Sequence, residues 1–136
     1  MTDEARRVPG DFESWFEGLV RAFPEFSETN DDDFFRDDDG LVLGHLFVGE
    51  ITANLVAGRL GDRHRVRALL DFLEAGYATG DAYRQNVIAL SFVENLGPRS
   101  RHLRHLGPRL TAVARELYPD AFGWRRVWGT PRRARS

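Results

Sequence analysis

Val66–Leu96, read as VRALLDFLEAGYATGDAYRQNVIALSFVENL, decides the fold. In its first half Val66, Leu69, Leu70, Leu73 and Tyr77 recur at spacings of three and four, with Arg67, Asp71, Glu74 and Ala78 opposite. That is the pattern of a half-buried surface helix. In the second half Tyr83, Val87, Ile88, Ala89, Leu90, Phe92, Val93 and Leu96 surround most of the helical circle, which predicts a central core helix over Ala82–Leu96. Between the two, Gly80 is expected as a left-handed C-terminal residue and Asp81 as the N-cap of the second helix. So short a connection predicts an antiparallel helical hairpin.

Upstream of this hairpin, residues 41–60 (LVLGHLFVGEITANLVAGRL) carry apolar side chains at nearly every angle, which predicts a helix buried on most sides. Gly61 ends it and Asp62 is placed to cap the next. Nearer the start, Phe12, Trp15, Phe16, Leu19, Val20 and Phe23 form one amphipathic face behind Asp11 as N-cap, and Pro24 stops that helix. Downstream, Ser100 is placed to cap a short helix through Leu106. Leu103, Leu106, Leu110, Val113 and Leu117 continue a helical spacing that Gly107-Pro108 divides into two pieces. No segment alternates convincingly as a strand.

The expected fold is therefore all-α, a single bundle of about five to six helices, with a short solenoid-like stack of hairpins as the alternative. No fixed-period repeat favours the latter. The helical domain is expected over residues 11–118, after a flexible lead-in (1–10) and before an aromatic, arginine-rich extension (119–136) with a disordered end.

With 136 residues the chain is long enough for one substantial core. It has no cysteine, which removes disulfides, thiolate metal sites and cysteine nucleophiles. It shows no secretion signal and no apolar run long enough to span a bilayer, so a cytoplasmic location is expected. Net charge is −2, but residues 1–50 hold fourteen acidic and four basic side chains whereas residues 51–136 hold seven and fifteen. The basic side chains are all arginine.

The acidity concentrates in DDDFFRDDDG, where Asp31, Asp32, Asp33, Asp37, Asp38 and Asp39 flank Phe34 and Phe35. An EF-hand is excluded, because placing Gly40 at loop position six puts Phe35 at position one and Leu46 at position twelve. Two readings remain: a solvated connection anchored by its phenylalanines, or a partner-binding surface.

A second candidate is a polar cluster on the two most apolar helices, formed by His45, Glu50, Asn54, Glu94 and Asn95. It reads either as an internally satisfied network or as a pocket. His102 and His105 share a helical face beside Arg101 and Arg104, whose charge opposes a metal; the simpler reading is a solvated face. Trp124 and Trp128 bracket two arginines, a composition suited to single-stranded nucleic acid, yet a terminal turn packed on the bundle is simpler and the acidic first half opposes nucleic acid. No phosphate loop, GxSxG or other nucleophile motif is present.

At LLDFLE (Leu69–Glu74), Gly80-Asp81, NVIALSFVENL (Asn86–Leu96) and Leu106-Gly107-Pro108, the sequence resembles a family of small bacterial helical proteins that look like immunity-type proteins. FPEF at Phe23–Phe26 and GHLFVGEI at Gly44–Ile51 are similar to the same pattern, so the resemblance covers residues 12–118. It implies an uncharacterised protein-interaction module, the neutralising partner of a polymorphic toxin, and assigns no catalytic residue. The expected function is then a protein-binding one in which the acidic surface occludes a basic toxin, without cofactor or metal. A small helical enzyme or ligand-binding protein built on His45, Glu50, Glu94 and Asn95 is the alternative, and self-association of the oppositely charged halves is a third.

Overall fold

Residue patterning at helical spacing becomes five helices in the computed structural model, which describes residues 9–27 and 33–121. They are α1 (Pro9–Ala22), α2 (Gly44–Val56), α3 (Arg63–Thr79), α4 and α5 (Pro108–Leu117). The fourth is composite, with α-helical pieces Ala82–Ile88 and Glu94–Leu96 on either side of a widened, π-helical turn, Ala89–Val93. Tight 3-10 turns at Pro24–Phe26, Asp33–Phe35, Arg101–His105 and Pro119–Ala121 complete the path. Among the described residues the one extended pairing is an isolated antiparallel bridge between Arg36 and Val42. The fold is all-α, and none of the described helices is long and apolar enough to cross a membrane.

The α3–α4 hairpin forms as expected. Asp62 caps α3 by accepting from the His64 amide at 2.7 Å, and Asp81 caps α4 by accepting from the Arg84 amide at 2.9 Å. Gly80, however, is extended (φ −83°, ψ 163°) and not left-handed. Space is what requires glycine there, since a Cβ would lie 2.3 Å from Arg84 Nε and 2.7 Å from the Gly76 carbonyl.

Arg84 is the reason for that crowding. Although charged it is buried, donating from Nε to Gly76 O at 2.9 Å and from Nη2 to Thr79 Oγ1 at 3.0 Å. Its guanidinium also stacks 5.6 Å from the Trp15 ring and stands 3.5 Å from Asp11 Oδ2. One side chain thus ties the hairpin turn to α1. Burial is tolerable because the charge has hydrogen-bond acceptors and a partner carboxylate.

The core fills the space between α1 to α5, with Phe12, Phe16, Phe23, Phe47, Ile51, Leu69, Leu73, Ile88 and Phe92 all buried. Phe16 and Phe47 meet edge to face with ring centroids 4.4 Å apart, an arrangement that aromatic quadrupoles favour.

Three element boundaries differ from expectation. α1 begins at Pro9, ahead of Asp11. Residues 41–43 are not helical, because Val42 pairs with Arg36 and its amide donates to Glu13 Oε2 at 2.7 Å. The Ser100-capped segment is a 3-10 turn, with the serine hydroxyl accepting from His102 N at 3.1 Å. Past residue 118, Ala121 packs against the core, so the extension begins as part of the domain.

Candidate functional site

The aspartate-rich segment folds into a braced turn. Asp37 Oδ1 accepts from the amides of Asp39 (2.8 Å) and Leu41 (3.0 Å), the local side-chain-to-backbone bonding that aspartate favours in turns. Gly40 adopts φ +83°, open to glycine without strain. Arg36 Nη1 donates to Gly40 O at 2.9 Å, and its guanidinium lies 5.6 Å from the Phe16 ring. This local basic charge is therefore folded back on the turn, while Asp38 and Asp39 are exposed.

The two phenylalanines divide their work. Phe35 is half-buried with its ring 6.4 Å from Phe47, whereas Phe34 is 66% exposed. One anchors the turn and the other is presented to solvent. Asp31 and Asp32 lie outside the described residues, as does the side chain of Asp33.

Beside this turn runs a shallow groove of about 330 Å³ lined by Asp37, Leu43, His45, Leu46 and Tyr83 among others. Leu46 is 45% exposed and Tyr83 37%. Both stand on helices expected to be buried nearly all round, and their exposure is a correction to that expectation. An acidic turn, a presented phenylalanine and an apolar groove thus share one region of the surface.

The predicted polar cluster does not converge. His45 is exposed at the groove, with Nδ1 2.7 Å from Ser91 Oγ. Asn54 donates to Glu50 O of its own helix at 3.1 Å and accepts from Arg59 Nη1 at 2.9 Å. Glu94 and Asn95 are exposed. The reason is the widened turn in α4, where the Glu94 amide donates to Ala89 O, five residues back. The extra residue shifts the helical phase, so that Val93 and Leu96 face inward and Asn95 is carried outward.

Ser91, not any of the five, is the organising polar residue. Its hydroxyl meets His45, and its carbonyl accepts from Thr52 Oγ1 (3.1 Å) and Asn95 Nδ2 (2.8 Å). Ser91 and Thr52 are both buried, so the group latches α2 to the irregular part of α4. Glu94 contributes mainly its backbone, whose carbonyl accepts from the Tyr118 hydroxyl. Burial first, and then the charge of Glu94, raises the Tyr118 pKa, keeping that hydroxyl a donor.

Sequence reasoning missed Ser91, Thr52 and Arg84 as tertiary ties. A signal was available for Arg84, which falls in phase with Val87 and Ile88 on an otherwise apolar face.

The pair His102 and His105 is also corrected, because His102 is only 7% exposed while His105 is exposed. Burial, followed by the positive charges of Arg101 and His105, holds the His102 imidazole below the ordinary value of 6.5. A depressed histidine pKa favours the neutral ring in the folded state. Its stabilising contribution is complete above the unfolded value and is lost as pH falls through the folded one. Urea unfolding midpoints should therefore fall from pH 7 to pH 5 more steeply for the native chain than for His102→Gln. Equal slopes would contradict the assignment.

The fold and these features define a small all-α domain built on a helical hairpin, bearing an acidic, partly apolar face and a separate arginine-rich groove. The chain belongs to the DUF7674 family, a domain of unknown function, whose model matches residues 16–125. No curated protein and no solved structure matches it. Trp124 and Trp128 fall outside the described residues.

Proposed function

We propose that the protein is a protein-binding module of the immunity type, acting in the bacterial cytoplasm, whose acidic turn and neighbouring groove cover the working surface of a basic toxin. The observation that carries this reading is Phe34, 66% exposed beside the braced Asp37–Asp39 turn. A large ring held in solvent by a half-buried neighbour has the character of an interface anchor. The carboxylates around it steer an oppositely charged partner and disfavour acidic ones. No rearrangement is needed before docking, because the turn is already fixed by its own hydrogen bonds.

Association kinetics with the product of the reading frame immediately upstream test this reading. Replacing Asp38 and Asp39 by Asn, while keeping the structural Asp37, should slow association severalfold at low salt and flatten its salt dependence. Phe34→Ala should instead speed dissociation about tenfold or more, the change expected of a centrally placed aromatic anchor. Absence of binding, or an on-rate indifferent to both charge and salt, would sink the proposal.

A further inference from the structure

On a different part of the molecule, the end of α2, the first turn of α3 and the Arg101–His105 turn enclose a cavity of about 290 Å³. Arg63, Arg101, His102 and His105 give it polar lining, and Leu55 and Val66 give it apolar lining. A smaller hollow of about 110 Å³ shares Arg63, Val66 and His105 and adds Arg67 and Leu70. No carboxylate lines either space. Arg63, Arg67 and Arg101 form no ion pair with any described residue.

Three guanidinium groups without a counter-charge around one concavity create a local positive potential, focused by the low-dielectric walls. The crowding is felt by His102, whose proton affinity is depressed by its neighbours Arg101 and His105 as well as by burial. A bound anion would relieve it. The nearby carboxylate of Asp62 is engaged by the His64 amide as the cap of α3 and does not line the cavity.

The number of charges selects the type of anion. A carboxylate offsets one of three arginines, whereas a phosphoryl dianion offsets two and offers three oxygens to planar guanidinium forks. The size selects a small ligand, since the cavity lies at the lower end of the roughly 300–1,000 Å³ usual for small-molecule sites. Leu55, Val66 and Leu70 call for an apolar body attached to that phosphoryl group.

We infer that this cavity is a binding site for a small phosphomonoester, with Arg63, Arg67, Arg101 and His105 around the phosphoryl group and the organic portion against Leu55, Val66 and Leu70. The inference is independent of the protein-binding face.

Calorimetric titration of the full chain with phenyl phosphate, inorganic phosphate and phenol at low ionic strength tests it. Phenyl phosphate should saturate one site, inorganic phosphate should bind more weakly, and phenol should not saturate. The imidazole proton signals of His102 and His105 should shift along the phenyl phosphate titration. Arg63→Gln and Arg101→Gln should each weaken binding tenfold or more, while Arg21→Gln, on the exposed surface of α1, should leave it unchanged. Circular dichroism of each variant shows whether it retains the fold, and the histidine signals of the native chain provide a readout that needs no variant. Failure of phenyl phosphate to saturate by about 10 mM, where affinity is below any useful binding energy, would overturn the inference. So would unmoved histidine signals, or full affinity in the arginine variants. Equal affinity for inorganic phosphate would overturn the assignment of an organic body.

Discussion

Phe47→Ala is expected to lower the free energy of unfolding by about 3–5 kcal/mol, the range for truncating a fully buried phenylalanine. The position admits little relaxation. Phe47 is 0% exposed, its ring lies 4.4 Å from Phe16, and Phe35 closes the other side at 6.4 Å. Those neighbours belong to α1 and to the turn that precedes the acidic loop. Collapse into the vacated volume would therefore have to move two separate elements. Because domains of this size commonly have only about 5–15 kcal/mol of stability in total, the variant should sit near the limit of folding. Urea titration followed by circular dichroism measures the loss, and Phe47→Leu, which keeps more of the apolar volume, should lose less. A loss under about 1 kcal/mol would mean that this aromatic contact is not packed as described.

Glu74→Ala should be the most damaging change at a partly exposed polar position, at about 2–3 kcal/mol. α5 starts without a side-chain cap of its own, since its N-cap is Gly107 and its first residue is Pro108. The cap comes from another helix. Glu74 of α3 accepts from the amides of Arg109 at 2.9 Å and Leu110 at 3.1 Å, and its negative charge faces the positive end of the α5 dipole. Hydrogen bonds to a charged group contribute about 1.5–3 kcal/mol each where desolvated, and less at the exposed Arg109 amide. Glu74→Gln should fall between the native chain and Glu74→Ala, because it retains an acceptor but loses the charge. Faster hydrogen exchange at the Leu110 amide in both variants would report the loss of the cap directly; unchanged exchange would contradict it.

Which parts of this were legible in the sequence follows from the range of the interactions. Local signals succeeded. Asp62 and Asp81 cap the helices that their positions predicted, and the apolar stripe of Leu69, Leu70 and Leu73 is buried. These depend on residues within one or two turns of one another. The failures involve partners far along the chain. Glu74 looked like a solvent-facing carboxylate because nothing nearby reveals Gly107 and Leu110 packed against it. Val42 looked helical because its pairing with Arg36 and Glu13 is tertiary.

The candidate sites divide in the same way. The prediction that Asp37 and Phe35 belong to an ordered, partly anchored turn has a physical counterpart in the hydrogen bonds and ring contact observed. The five-residue polar cluster presumed a straight α4. Uniform helical geometry was the wrong ruler for its last two members. His102 was read as solvated because arginines flank it in sequence, yet the tight turn directs it inward and leaves Arg101 and Arg104 outside.

The widened turn between Ala89 and Val93 has a further consequence for chain length. Removing one residue there would allow a regular α-helix, but each residue of such a helix turns the chain by about 100°. The last turn of α4 would rotate by that amount, bringing Asn95 toward the apolar interior and swinging Leu96 toward water. A relative lacking that residue must therefore carry its apolar side chain one position earlier. At this point in the family, an insertion or deletion and a change of hydrophobic pattern are a single event.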